Sequence, residues 1–464
     1  MKRILYYFII AIAVLILTGC MVGKNYNRAY KPSDTTFRNA SKLDTIKPAA
    51  WFDIYHDTVL QRMIKITLDS NRDLLAAAQH IEESRYIVGQ VKSNLFPGLN
   101  YSAQAGGGSA GTESLKINGG FNSAVFNAFA VFNWELDIWG KIRRSTRAAV
   151  DEMLANEATR NALQVSLIAE VASDYFLLRD LDNRLKISME TLESRKINTR
   201  LNSGKFEKGY VSEMDKLWAV QQQAVAAAAV PTFQRQINDV ENAIRLLMGL
   251  GPGPVPRGQS NFDQTLSPDI PVGLPSQLLE RRPDILASEF DLAAQYERIG
   301  VAQATLFPSI SLTGLLGFAS PQLSTLISGQ SLVANGFGNI AGPIFNFNRL
   351  KRQVDVERSR TYQLYQSYQQ TVLRAFGEVD NSLASYRGFN EEYEQRKIQV
   401  EAAARALYLS QARYDNGYTS YLEVVVQQDN LFDAQLLQSL SLAGKLTSIV
   451  ALYKALGGGW NMPQ

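Results

Sequence analysis

Cysteine and histidine are the side chains through which a protein most readily acts as nucleophile, base or metal ligand. This chain of 464 residues has one cysteine, Cys20, and two histidines, His56 and His80. Cys20 closes Leu17-Thr18-Gly19-Cys20, after an N-terminus that opens with Lys2 and Arg3 and runs apolar from Ile4 to Leu17. The apolar run is shorter than the roughly 20 residues of a spanning helix and has the flanks of a secretory signal. Its ending resembles the bacterial lipobox, in which the cysteine thiol is acylated and becomes the first mature residue. The chemistry available to Cys20 is therefore lipid attachment, and a lone thiol forms no disulfide or cysteine metal site within one chain. Met21 stands where an aspartate would resemble an inner-membrane retention signal, which favours the outer membrane.

The histidines have no second ligand at metal-binding spacing and read as structural. No phosphate-binding glycine loop occurs, and a serine–histidine pair is hardly available. We expect no enzyme, no cofactor and no resident metal. A net charge of +3, with 20% of residues charged, gives no sign of nucleic acid. The remaining pointed signals are two acidic residues, Asp215 in Ser212-x-x-Asp215 and Glu423 in Ser420-x-x-Glu423, which read as capping boxes at helix starts.

Those boxes belong to a long internal repeat. Leu95-Phe96-Pro97 returns as Leu306-Phe307-Pro308, a lag of 211 residues, and Gly209-Tyr210-Val211-Ser212 returns as Gly417-Tyr418-Thr419-Ser420, a lag of 208. Each half also ends at a matching glycine, Gly249 and Gly457. Solenoid repeats have periods of about 20 to 50 residues, so this is a duplicated large unit. Each copy reads as a helix stopped by proline, a glycine- and aromatic-rich β-hairpin, a very long helix and a return helix. The expected organisation is a signal peptide over 1–19, a lipidated N-terminal and equatorial segment over 20–56, and a first repeat over 57–250. A proline-rich equatorial linker follows over 251–275, then a second repeat over 276–457 and a tail over 458–464. In the first repeat the helix is expected over 57–94, the hairpin over 97–137, the long helix over 142–201 and the return helix over 212–248. The second repeat should place them over 283–305, 308–346, 350–415 and 420–456. A helix of about 60 residues makes a rod of roughly 90 Å, too long for a compact domain and suited to crossing a wide compartment.

The hairpin lengths suit tilted membrane strands of about 9 to 11 residues with extensions, although the same pattern fits a soluble hairpin. In lipid an open sheet edge leaves backbone groups unsatisfied at several kcal/mol each, and four strands cannot close a barrel. Two copies would give eight strands around a core filled by side chains, whereas three would give twelve and room for water.

The chain resembles the TolC-like outer-membrane efflux channels, in the OprM- and CusC-like lipoprotein branch of the outer-membrane factors. The resemblance spans essentially the mature chain and rests on Cys20-Met21-Val22-Gly23-Lys24-Asn25-Tyr26, Trp134 to Gly140, Leu274 to Ile285 with its Arg281-Arg282-Pro283-Asp284, Ala304 to Ser309 and Gly342-Pro343-Ile344-Phe345. Lys24 replaces a usual proline, and Phe347-Asn348 replaces the glycine usual before Arg349. The fold class implied is mainly α with membrane β: a homotrimer forming a twelve-stranded β-barrel on a twelve-helix α-barrel. The implied partners are a periplasmic adaptor, an inner-membrane pump of the resistance-nodulation-division (RND) type and outer-membrane lipid. The implied role is a passive exit duct for small solutes.

By the same resemblance the tip residues Gly209, Tyr210, Ser212, Gly417, Tyr418 and Ser420 face the adaptor, or serve only the turns they form. Glu423 and Asp215 fall at positions of a tunnel gate or acidic ring, or act only as caps, and Tyr414 matches a gating tyrosine. Thr419 stands where some members carry an arginine partner. Arg281, Arg282 and Asp284 read as braces of the helix that Pro283 opens. Two other assignments use the same elements: the exit channel of a type I secretion system, and a lipid-anchored periplasmic coiled-coil scaffold with no pore. Cys20→Ser should abolish acylation and leave the signal uncut, read by the intact mass of the membrane-extracted protein; normal processing would overturn the lipoprotein assignment.

Overall fold

The computed structural model describes residues 21–27, 51–109, 122–264 and 275–458. The signal segment, Cys20, part of the equatorial segment, linker residues 265–274 and nearly all of the tail lie outside the described residues. The chain divides into two compact units, and neither is one repeat. One holds the N-terminal residues with 80–157 and 287–368, the other 30–79, 158–286 and 369–464.

The first repeat folds as α1 (Trp51–Ile54), α2 (Thr58–Ser70), α3 (Arg72–Ser93), β1 (Gly98–Ser109), β2 (Asn122–Leu136), α4 (Lys141–Glu207) and α5 (Glu213–Leu247). The second folds as α6 (Pro275–Arg281), α7 (Pro283–Ala304), β3 (Ser309–Ser320), β4 (Leu332–Ala341), α8 (Arg349–Asp415) and α9 (Tyr421–Ala455). In three helix pairs the duplication is kept to the residue: α3 and α7 have 22 residues each, α4 and α8 have 67, and α5 and α9 have 35.

The single helix expected over 57–94 is two helices, broken at Asn71. The Asn71 carboxamide oxygen accepts from the amides of Asp73 and Leu74, both at 3.0 Å, and so caps α3. Its amide nitrogen donates to Leu247 O, the end of α5, at 2.9 Å. The equivalent residue of the second repeat is Arg282, which donates to Ala455 O, the end of α9, at 3.0 Å. Gly249 and Gly457 sit just past those ends at φ +68° and +92°. A Cβ on Gly249 would lie 2.5 Å from Ser70 O, and one on Gly457 would lie 3.1 Å from Arg281 O. Each return helix therefore ends against the break of its own repeat. Arg282 is also held by Asp284 at 2.7 Å and Glu378 at 2.7 Å, which makes it a brace.

Around these corners the second unit builds its core from Tyr55, Ile64, Tyr175, Phe176, Ile244 and Tyr453. Asp57 caps α2 and accepts from Tyr175 OH at 2.6 Å and from the Gln259 amide at 2.8 Å, which ties the linker to that core. Burial alone would raise the Asp57 pKa, but its hydrogen bonds from Tyr175, Gln264 and the backbone hold it below the ordinary value.

In the first unit the four strands form one antiparallel sheet in the order β1-β2-β3-β4. Its middle pairing, Leu136 with Ile310 through Phe126 with Ser320, joins the two repeats. Gly317 is required there, because a Cβ would come 2.0 Å from Ala128 O. The chain leaves β2 through Asp137, whose carboxylate accepts from the amides of Ile142 at 2.9 Å and Arg143 at 3.0 Å and so satisfies the start of α4. Gly140 takes φ +76°, and its counterpart Asn348 takes φ +61°. Asparagine tolerates the left-handed region, so the departure before Arg349 leaves the turn intact.

The described N-terminal residues lie on this unit. Arg144, 1% exposed at its side chain, donates to Val22 O at 3.1 Å, Gly23 O at 2.7 Å and Glu297 Oε2 at 2.7 Å. Val22 N donates to Trp139 O at 3.1 Å, and Tyr26 meets Tyr296 edge-on at 5.8 Å.

The glycines generate a contrast. Gly209 and Gly249 both have positive φ, but nothing lies within 4 Å of a Cβ on Gly209. Gly209→Ala should cost about 1–2 kcal/mol, the backbone penalty alone. Gly249→Ala should cost more, since it also drives a methyl group into the Ser70 carbonyl. Melting of the detergent-extracted protein measures both, and equal shifts would contradict the docking of the α5 end on the break.

Candidate functional site: the two helical tips

Both long helices end in the same backbone motif. Tyr210 N donates to Lys205 O and Gly209 N to Phe206 O, each at 2.9 Å; Tyr418 N donates to Arg413 O and Gly417 N to Tyr414 O, again at 2.9 Å. With φ of +75° at Gly209 and +74° at Gly417, these are Schellman closures. The turns project Tyr210 and Tyr418, 77% and 78% exposed, away from the chain.

The helix starts that follow are not equivalent. At Ser212 the capping box is complete: the Asp215 amide donates to Ser212 Oγ at 3.2 Å, and the Ser212 amide donates to Asp215 Oδ2 at 3.2 Å. At Ser420 the expected box is absent, for the serine side chain makes no cap bond and the Glu423 amide donates to Ser420 O instead. The Glu423 carboxylate accepts from the Thr419 hydroxyl and pairs with Arg413 at 3.4 Å. Thr419 supplies a donor where the first repeat has Val211, and glutamate is one methylene longer than aspartate. The longer acid thus reaches past the cap. In consequence Glu423, 35% exposed at its side chain, is not committed to the helix terminus.

Tyr414 stands between the hairpins. Its hydroxyl donates to Asn202 Oδ1 at 3.3 Å, its ring lies 5.3 Å from that of Tyr421, and the Lys205 ammonium sits 5.0 Å from its centroid. Burial raises the pKa of Tyr414, with Asp215 and Asp415 adding to the shift. Tyr421 is pushed up to about 12 by burial and by Tyr414. Both phenols are therefore neutral at physiological pH. Asp215 and Tyr414 are close enough to couple, whereas Glu423 is engaged with Arg413 and Thr419.

One group here was not anticipated from the sequence. Arg195, 2% exposed, donates to Gln222 O at 2.8 Å and to Asp429 Oδ1 at 2.9 Å, while Gln222 Nε2 donates to Asp429 Oδ2 at 2.8 Å. The guanidinium also lies 5.3 Å from the Phe432 ring. Burial lowers the Arg195 pKa, against the pull of Asp429. This polar layer, buried at Arg195 and Gln222, joins α4, α5 and α9 behind the tips. Its signal in the sequence is a breach of the repeat, since the register sets Ala403 opposite Arg195.

The pattern of elements recurs in proteins already known. The family model described as Outer membrane efflux protein matches residues 63–250 and 274–458. The chain is 30% identical over 464 residues to the probable efflux pump outer membrane protein TtgC of Pseudomonas putida, covering 97% of this chain and 95% of that protein. It is 31% identical over 460 residues to the cation efflux system protein CusC of Escherichia coli, covering 96% and 97%. Among solved structures it is similar to the open state of the MtrE outer membrane channel of Neisseria gonorrhoeae, at a TM-score of 0.85 and 29% identity, covering 95% of this chain and 99% of that one. The duplicated helical unit with its short membrane sheet is the fold of these channels. The chain belongs to the outer membrane efflux protein family and is the outer-membrane exit duct of an efflux system.

Proposed function

We propose that three copies of this chain form a passive duct that receives small solutes from a periplasmic adaptor and an inner-membrane pump of the RND type. The observation that carries the proposal is the four-stranded sheet with β1 and β4 at its open edges. In lipid those edges must be paired, and three chains give twelve strands with a water-filled interior. Acylated Cys20 anchors the chain to the membrane in this reading. The exposed tips at Gly209, Tyr210 and Ser212 and at Gly417, Tyr418 and Ser420 meet the adaptor. Pump and adaptor choose the solute, in keeping with relatives named for cation, antibiotic and toluene efflux.

In the same proposal Glu423, with Asp215 and Tyr414, forms the constriction at the tips. Three symmetry-related carboxylates held close together attract cations. Glu423 suits this role better than Asp215, because the Asp215 carboxylate is engaged by both ends of its capping box. Glu423→Ala should move the reversal potential in a salt gradient toward zero when the protein is reconstituted in a planar bilayer, with Asp215→Ala moving it less. An unchanged potential for Glu423→Ala would leave the residue only its local bonds to Thr419 and Arg413.

A further inference from the structure

Beside the pinned N-terminal residues lies a cavity of about 700 Å³. Tyr296, Ile299, Leu306 and Phe307 give it an apolar lining, and among the described residues Lys24 and Arg358 bring charged side chains to it. One wall is fixed by construction, since Arg144 holds the carbonyls of Val22 and Gly23. Gly23 itself sits at φ +94°, where a Cβ would lie 2.7 Å from Gln303 Oε1. Lys24 has no ion-pair partner among the described residues. Arg358 is paired with Asp355 at 3.2 Å, but both side chains are mostly exposed, so that pair is weak and exchangeable.

The level of the cavity follows from chain continuity. Leu306 and Phe307 directly precede Pro308 and the first residue of β3, Ser309. Trp139, three residues beyond the end of β2, stacks on Phe307 at 4.7 Å and donates its indole N–H to Pro308 O at 2.7 Å. Aromatic residues gathered at strand ends mark the boundary between hydrocarbon and headgroups. The cavity therefore lies at headgroup depth on the periplasmic side, lined by Lys24, Arg358 and apolar side chains. At about 30 Å³ per water, its volume is on the order of 20 waters, ample for a phosphoglycerol headgroup and its glycerol backbone.

We propose that this cavity seats a phospholipid with an anionic headgroup from the periplasmic leaflet. Its phosphate lies between Lys24 and Arg358, and its first acyl carbons lie against Ile299, Leu306 and Phe307. Lys24, which stands where the resemblance expects proline, gives this chain a cation at that point. The inference uses the outer-membrane placement and is independent of the assignments at the tips.

The test uses the full-length protein extracted in mild detergent, stripped of lipid and offered equal amounts of phosphatidylglycerol and phosphatidylethanolamine, with retained lipid counted by native mass spectrometry. Phosphatidylglycerol should be retained in preference. Lys24→Ala with Arg358→Ala should lower its affinity about thirtyfold, and Lys24→Ala alone about fivefold, while Lys24→Arg with Arg358→Lys should keep it. Mobility of the unheated oligomer on a gel checks that each variant assembles. Equal retention of the two lipids, an unchanged preference in the double alanine variant, or the protein's own acyl chain filling the cavity in an electron-microscopy map would overturn the proposal.

Discussion

Backbone amides and carbonyls cannot be left unpaired in hydrocarbon, and that constraint governs this molecule. Among the described residues there are four strands, and β1 and β4 stand at the two edges of their sheet with no strand paired beyond them. A barrel must be closed by further copies, and the helices that follow each hairpin are gathered into the same assembly. The pore is thus a product of association. Its interior is set by how many chains meet, while each chain supplies only a wedge of sheet and two helical hairpins.

Within the chain, the repeats and the compact units are different partitions of the same residues. Each unit takes segments from both repeats, because the sheet pairs β2 with β3 and the second core combines Tyr55 and Tyr175 with Tyr453. Equivalent corners also use different chemistry. Where Asn71 reaches the end of α5 through a neutral amide, Arg282 reaches the end of α9 through a guanidinium that needs Asp284 and Glu378 beside it. The backbone contact is retained although the side chain that makes it has changed, which indicates that the position of the helix end is the constrained quantity.

Much of this was legible in the sequence because it follows from local rules. The two lags, the hairpins after Pro97 and Pro308, and the glycines that close the long helices all arise from backbone restrictions carried by particular residue types. What was not legible depends on partners distant along the chain. Asn71 looks like an ordinary helical residue until Leu247 and the amides of Asp73 and Leu74 claim it. Ser420 and Glu423 satisfy the capping pattern, yet the neighbouring Thr419 hydroxyl and Arg413 take the carboxylate. Arg195 breaks the repeat opposite Ala403, but the acceptors that let it be buried come from α5 and α9 and cannot be read from that breach.

The central pairing of the sheet has a consequence for how the protein is made. β2 ends at Leu136, and its partner across the sheet begins at Ile310, so the first hairpin leaves the secretion machinery long before the strand that completes its inner edge. Pairing at such separation is slow, because the loop between the strands must be ordered first. During that interval an aromatic-rich hairpin with two free edges is exposed to water and to other nascent copies, the circumstance in which strands join the wrong partner. Biogenesis of this channel therefore requires that the first hairpin be shielded until the second repeat arrives, and the rate of export sets how long that protection must last.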